Sequence, residues 1–472
     1  MMSPTVAIVI SSITVLGIGV VISFLVGRRQ KGIENWNVGG RSLPMYVIAG
    51  TQFATGMGGG VLVAHVGIGY SAGWSAITYN LLYSIGIILL VMLAGWFKKQ
   101  NFSTLPDIFK RLYGDHKIMM SAVTVLAIVV PFGWMCTQLV AFGNLFSEIT
   151  GISFTLLVII FASISLFFVL PGGLASVAWT DFIFGCFMLI LALISGIYML
   201  NLSGGWSNIV SNVPENVVAF PEGMGAIGMA TVVLWIFAIF PGALTNQMSY
   251  QRIYAAKDAK TAKKGFIIAA IAGLLSGIWA SFMGIAILSQ NPGLENSELA
   301  AGWFLTQIPT WFLAIYSAFI IATIMSTVSS AVQSVVVNIT NDIYKSYINK
   351  NVKDRELVKI SRGLTVITVI VAVLLSLYYP QALGWLQATY AYSAAGLLVP
   401  IFLGFALRRR NILSAKGAMG GIFFGVIGAA VAQVMDTAVP YAVYGVVSSL
   451  VGFIISSIIF RQKSNIAKTT HL

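Results

Sequence analysis

Once the apolar runs of this chain are laid out as membrane crossings, all 27 of its Lys and Arg residues fall on one side. The basic clusters are Arg28, Arg29, Lys31 and Arg41, then Lys98, Lys99, Lys110, Arg111 and Lys117, then Arg252, Lys257, Lys260, Lys263 and Lys264. They continue with Lys345, Lys350, Lys353, Arg355, Lys359 and Arg362, then Arg408, Arg409, Arg410 and Lys416, and finally Arg461, Lys463 and Lys468. The intervening loops hold Glu215, Glu222, Glu295 and Glu298 and no positive charge. An excess of Lys and Arg marks the cytoplasmic loops of membrane proteins. The pattern therefore predicts a multi-pass protein of the cytoplasmic (inner) membrane, with its N-terminus outside and its C-terminus inside.

Crossings are expected near 5–27, 46–70, 74–97, 118–147, 152–171, 177–201 and 226–249, then near 265–289, 310–341, 363–379, 384–407, 417–435 and 439–460. That is an all-α chain with thirteen spans, each about as long as a bilayer is thick. A hydrophobic fraction of 58%, 9% charged residues and a mean hydropathy of +0.90 exclude a soluble globular domain. The net charge of +13 is dispersed over short loops, which suits anionic lipid headgroups rather than nucleic acid. The first run, Val6–Val26, has no basic residue before it and reads as a retained span rather than a signal peptide. Cys136 and Cys186 both lie in apolar segments and suggest neither a disulfide framework nor a zinc site.

Two spans are interrupted. The second contains Gln52-Phe53-Ala54-Thr55-Gly56-Met57-Gly58-Gly59-Gly60, and the seventh contains Phe240-Pro241-Gly242-Ala243 followed by Thr245, Asn246 and Gln247. Glycine weakens a helix and proline removes a backbone donor, so both helices are expected to break. Broken backbone at membrane depth survives only where it lines a cavity or is buried in protein. The interruptions fall at matching places in two inverted five-helix repeats, 46–201 and 226–407, with 1–45 and 408–472 added at the ends. Paired broken helices of this kind point to a transporter's central site.

The ninth span places Thr323, Ser326, Thr327 and Ser330 at i, i+3, i+4 and i+7, one helix face, with Ser329 beside them. Such hydroxyls can bond their own helix or bridge to a neighbour; they also suit a hard cation, which takes oxygen ligands. Carbonyls of Ala54 and Met57, at the first interruption, are placed to supplement them. Asp181 lies inside an apolar span, where an ionised group costs about 2.5–3.5 kcal/mol, and it is a functional candidate or a hydrated residue near the surface. His65 is the one span histidine, a helix-bridging group or a proton carrier. Gln52, Asn80, Gln138, Asn246, Gln247 and Gln251 can address a polar solute, with Trp134, Trp235 and Trp385 as walls. A core without Lys or Arg favours a small neutral or zwitterionic solute or a monocarboxylate. Nucleotide-binding, zinc-protease and nucleophile motifs are absent, which argues against an enzyme and leaves an ion gradient as the driving force.

These residues resemble the sodium:solute symporter family, with similarity over nearly the whole chain. The resemblance is carried by Gly39-Gly40-Arg41-Ser42-Leu43-Pro44, Pro171-Gly172-Gly173-Leu174-Ala175-Ser176, Thr180-Asp181, the Ser-rich ninth span and Asp342-Ile343-Tyr344. It implies a LeuT-type fold, alternating access and Na+ as coupling ion. It also implies a principal sodium site of the Ala54, Met57 and Thr323 carbonyls with the Ser326 and Thr327 hydroxyls. A second site, present in some members, is matched by Asp181, Ser326, Ser329 and Ser330. The solute would meet Thr55, Gly58, Asn80, Trp134, Gln138, Asn246 and Gln247. Parts of the chain are most similar to the choline-transporter branch, but Gly56 and Asn246 stand where that branch has tryptophans. Val61 and Asn80 stand where sugar-transporting members have Gln and Glu. The expected solute is an amino acid, monocarboxylate, vitamin or quaternary amine, moved by a monomer. Alternatives are proton coupling through Asp181 or His65, and a non-transporting solute sensor.

Overall fold

The computed structural model describes residues 3–28, 32–169, 173–410 and 413–460. Arg29, Lys31, Pro171, Gly172 and the basic residues Arg461, Lys463 and Lys468 lie outside that set. Among the described residues there are helices and no strand, with one isolated bridge pairing Leu43 and Ala256. Among the described residues eleven helices are long and apolar enough to cross a membrane, or twelve with one bent pair taken as a single span. The expected crossing at 152–171 appears as a 16-residue helix, Phe154–Val169, that ends where the described residues do.

In chain order the principal helices are α1 (Pro4–Arg28), α2 (Met45–Gly56), α3 (Val66–Ala72), α4 (Ser75–Met92), α5 (Lys117–Thr150), α6 (Phe154–Val169), α7 (Leu174–Leu202) and α8 (Met229–Thr245). They continue as α9 (Gln247–Ala255), α10 (Ala259–Gln290), α11 (Thr310–Asn338), α12 (Asp354–Tyr378), α13 (Ala382–Ser393), α14 (Val399–Leu407), α15 (Ala415–Val434) and α16 (Tyr441–Ile459). Helices dominate because hydrocarbon offers backbone N–H and C=O groups no partner other than one another. The apolar stripes of α7 (Ile190, Leu193, Ile197) and α12 (Ile367, Ile370, Leu374) remain exposed and form part of the lipid-facing belt.

The centre is α11, which is buried along most of its length. It packs on α1, α5 and α7, while α2 packs on α7 and α10. At the far end α15 and α16 lie close together through small residues, and a Cβ on Gly452 would come within 2.7 Å of the Gly420 carbonyl.

Both expected interruptions are present. α2 stops at Gly56, a wide turn covers Gly60–His65, and α3 leaves at 54° to α2. The second break falls at Asn246, whose extended backbone (φ −76°, ψ 110°) separates α8 from α9. Pro241 is accommodated inside α8. The Asn246 side chain restarts the helix by accepting the Met248 N–H at 3.0 Å.

Candidate functional site

At the first break the helical ladder gives way to side chains. The Met57 N–H reaches back to the Ala54 carbonyl at 3.3 Å, and the Gly59 N–H is taken by Gln138 Oε1 from α5. Gly58 lies against α11 and α5 together. A Cβ there would come within 2.9 Å of Gln138 Cδ and overlap Thr327 Oγ1, so even a methyl group would have to displace one of those side chains.

The hydroxyl stripe of α11 faces this break. Thr327 Oγ1 lies 3.3 Å from the Ala54 carbonyl oxygen and 3.2 Å from that of Thr323. Three of the five expected principal-site oxygens thus converge between α2 and α11. Met57 is buried one turn along. Ser326 is also at this junction but donates its hydroxyl to Asp181 Oδ1. Hydroxyl and carbonyl oxygens without formal charge are a donor set that fits a sodium ion.

Asp181 is 0% exposed, which removes the hydrated reading of this residue. Its Oδ2 accepts from Thr51 at 2.6 Å, Ser330 at 3.1 Å and Thr55 at 3.3 Å. The same oxygen faces the guanidinium of Arg252, 3.4 Å away and 1% exposed. Arg252 Nη2 also donates to Thr55 and to Ser330 (2.7 Å), Nε to Thr51 (3.2 Å) and Nη1 to the Met248 carbonyl (2.9 Å). This corrects two sequence readings. Arg252 does not lie in a basic loop, and the core does contain an arginine, because a buried carboxylate needs a counter-charge. Ser329, expected beside Asp181, donates instead to the Ser326 carbonyl at 2.8 Å.

The expected solute residues divide. Gly58, Gln138 and Trp134 gather at the first break, where Trp134 Nε1 donates to Tyr390 Oη at 3.1 Å. Tyr83 lies against Gly56 and its ring centroid is 6.4 Å from that of Tyr390. Thr55 belongs to the Asp181–Arg252 network. Asn80 Nδ2 is held by the Ala76 carbonyl and His65 Nδ1. Asn246 caps α9, and Gln247 Oε1 accepts the Leu105 N–H at 2.7 Å. Trp385 is tied to the Tyr379 carbonyl away from the break. Sequence reasoning missed Thr51, Tyr79, Tyr83 and Tyr390; the available signal was the i, i+4 pair Tyr79 and Tyr83 on the helix that faces both breaks.

An apolar cleft reaches Met57 and Thr323 from the other side, between α7, α10 and α11. Its lining includes Phe53, Met188, Trp279 and Ile320, with Ser276, Tyr316 and Thr323 as its polar side chains.

The sequence profile of the sodium:solute symporter family matches residues 36–425. A sodium/glucose cotransporter of Vibrio parahaemolyticus is 24% identical over 463 residues, covering 90% of this chain and 84% of the relative. A sodium/proline symporter of Staphylococcus aureus (strain JH9) is 27% identical over 478 residues, covering 95% and 90%. Among solved structures, a Na+-coupled sialic acid symporter in a substrate-bound outward-open state superposes with a TM-score of 0.82 at 18% identity, covering 96% of this chain and 98% of that one. A nucleobase-cation-symport-1 family transporter in a closed conformation gives 0.61 at 14% identity, covering 90% and 94%. The fold is thus the LeuT type. With its profile match spanning both broken helices and the hydroxylated α11, the chain belongs to the sodium:solute symporter family.

Proposed function

We propose that this protein is a sodium-coupled symporter that brings a small organic solute into the cell by alternating access. The observation that carries the reading is the approach of Thr327 Oγ1 to the Ala54 and Thr323 carbonyls, which joins α11 to the broken α2. A sodium ion held by Ala54, Met57, Thr323, Ser326 and Thr327 would pin these two elements together. Solute would then sit at the first break near Gly58, Trp134 and Gln138. Coupling follows when the ion binds one state more tightly than the other.

The second set, Asp181, Ser326, Ser329 and Ser330, meets a guanidinium already in place. We therefore assign one sodium ion per cycle to the Thr327 junction; a second would require Arg252 to withdraw. The repeats are taken as 46–201 and 226–407. The basic face is read as cytoplasmic, the membrane as the inner membrane and the working unit as the monomer. Proton coupling would draw on Asp181 or His65, but Asp181 is ion-paired and His65 is buried against Asn80.

Thermal denaturation of the purified protein in sodium and in potassium tests the reading. Sodium alone should raise the melting temperature. Equal response to both salts, with uptake driven by a pH gradient in sodium-free buffer, would establish the proton alternative.

A further inference from the structure

On and around the two broken helices, four buried polar atoms find no hydrogen-bond partner among the described residues. Gln138 Nε2, Tyr79 Oη, Trp235 Nε1 and His65 Nε2 are all unpaired, and each residue is at least nine-tenths buried. Three of them are neighbours through their rings, and the fourth lies at the first break. The Tyr79 ring lies 4.5 Å from that of His65 and 5.3 Å from that of Trp235, while Gln138 reaches the first break through Gly59.

All four are donors. Trp235 Nε1 and an amide nitrogen can only donate, and a tyrosine hydroxyl can do so. The His65 tautomer is set by its neighbour. Asn80 Nδ2 lies 2.8 Å from the Ala76 carbonyl and 3.1 Å from His65 Nδ1. An atom that close to a carbonyl oxygen is the amide nitrogen, so Nδ1 accepts and Nε2 carries the hydrogen. Against these four donors stands one unpaired acceptor nearby, Gln52 Oε1.

The charge balance points the same way. The sodium junction offers only uncharged oxygens, so a bound ion brings a positive charge that no carboxylate neutralises; Asp181 is committed to Arg252. Gly58 touches both sides, since a Cβ there would meet Thr327 and Gln138. Cation and solute are therefore neighbours in a medium of low dielectric, where opposite charges attract strongly.

We infer that the solute is a small monocarboxylate, its carboxylate received by these uncharged donors and its charge matched by the adjacent sodium ion. The inference rests on the symport reading above and adds the substrate class. A dicarboxylate would bring one charge too many for a single sodium. Choline offers these donors one hydroxyl oxygen and no negative charge, and it would add a second positive charge beside the sodium ion.

The experiment is a thermal-shift titration of the full-length protein in sodium and in potassium, with propionate, lactate and pyruvate as probes. Propionamide and lactamide serve as neutral isosteres, L-proline as a zwitterion and choline as a cation. One or more carboxylates should stabilise in sodium, with no response to the amides or choline. Gln138→Glu keeps an oxygen for the Gly59 N–H but sets a carboxylate where the donor was; it should weaken the responding carboxylate roughly tenfold or more. Trp235→Phe keeps the ring, removes the N–H and should weaken it several-fold. Stabilisation by proline, choline or an amide equal to or above the best carboxylate overturns the class, as does silence from every carboxylate. Proline or choline acting only in sodium would do so while leaving the symport reading intact. A carboxylate response equal in both salts would keep the class and overturn sodium coupling.

Discussion

Two oxygen-rich clusters lie within one stretch of α11, one proposed here for sodium and one already holding a guanidinium, and they are built in opposite ways. At Thr327 the oxygens are uncharged and come from two helices. At Asp181 a full carboxylate is enclosed by four hydroxyls and already faces the Arg252 guanidinium. The first can hold an ion that arrives and leaves with little rearrangement of charge. The second cannot exchange its cation without stranding a buried carboxylate. An acidic residue is thus not sufficient to locate a mobile ion, and the proposed sodium site is the cluster without a resident charge.

The largest effect that separates the two seats concerns folding. Arg252→Met leaves Asp181 unpaired in the interior and should cost about 3–5 kcal/mol, seen as loss of monodisperse protein on size exclusion. The double variant Arg252→Met with Asp181→Asn should recover most of that loss. If the single variant is as stable as the parent, the guanidinium is not the resident partner.

Next is Gly58→Ala, which places a methyl group against Thr327 and Gln138. Overpacking of this kind costs about 1–3 kcal/mol, and here it should fall mainly on sodium affinity, read as a rightward shift of the sodium-dependent melting curve. An unmoved curve would separate the first break from the ion.

A smaller effect is expected away from both seats. Glu298, in the loop between α10 and α11, receives the backbone N–H groups of Leu383 and Ala382 at the start of α13 at 2.9 and 3.0 Å. Burial raises its pKa above the usual carboxylate range, while those N–H groups and Asn144 act the other way. For an acid with a raised folded-state pKa, the stabilisation is full below the ordinary pKa and is lost as pH rises through the raised one. Glu298→Gln should flatten that decline, measured as melting temperature against pH relative to the parent. Parallel profiles for the two proteins would show that Glu298 does not set it.

Ser329→Ala should change least. Its hydroxyl serves only the Ser326 carbonyl in its own helix, worth under about 1 kcal/mol, and sodium response should be unaltered. A marked loss of that response would place Ser329 in a cation seat after all.

Much of this was legible in the sequence. The stripe Thr323, Ser326, Thr327 and Ser330 announced its face through helical spacing, and that face meets α2 and α7. Gly56–Gly60 marked the first break through its glycines, whereas at the second Pro241 and Gly242 stay helical and the chain breaks at Asn246, which caps α9. Arg252 was hidden, since its position near a helix end and other basic residues is what a loop arginine also looks like. The counter-charge that Asp181 required was the clue, and spacing cannot say which arginine supplies it. Asn246 and Gln247 looked like solute ligands because polar residues at a break serve equally to cap helices and tie down loops. Only the fold distinguishes these uses.

The most direct measurement is equilibrium binding of radioactive sodium to the purified protein. The account predicts one sodium ion per chain, lost in Thr327→Val and retained in Ser330→Ala. Sodium binding that survives Thr327→Val, or a stoichiometry of two, would contradict it.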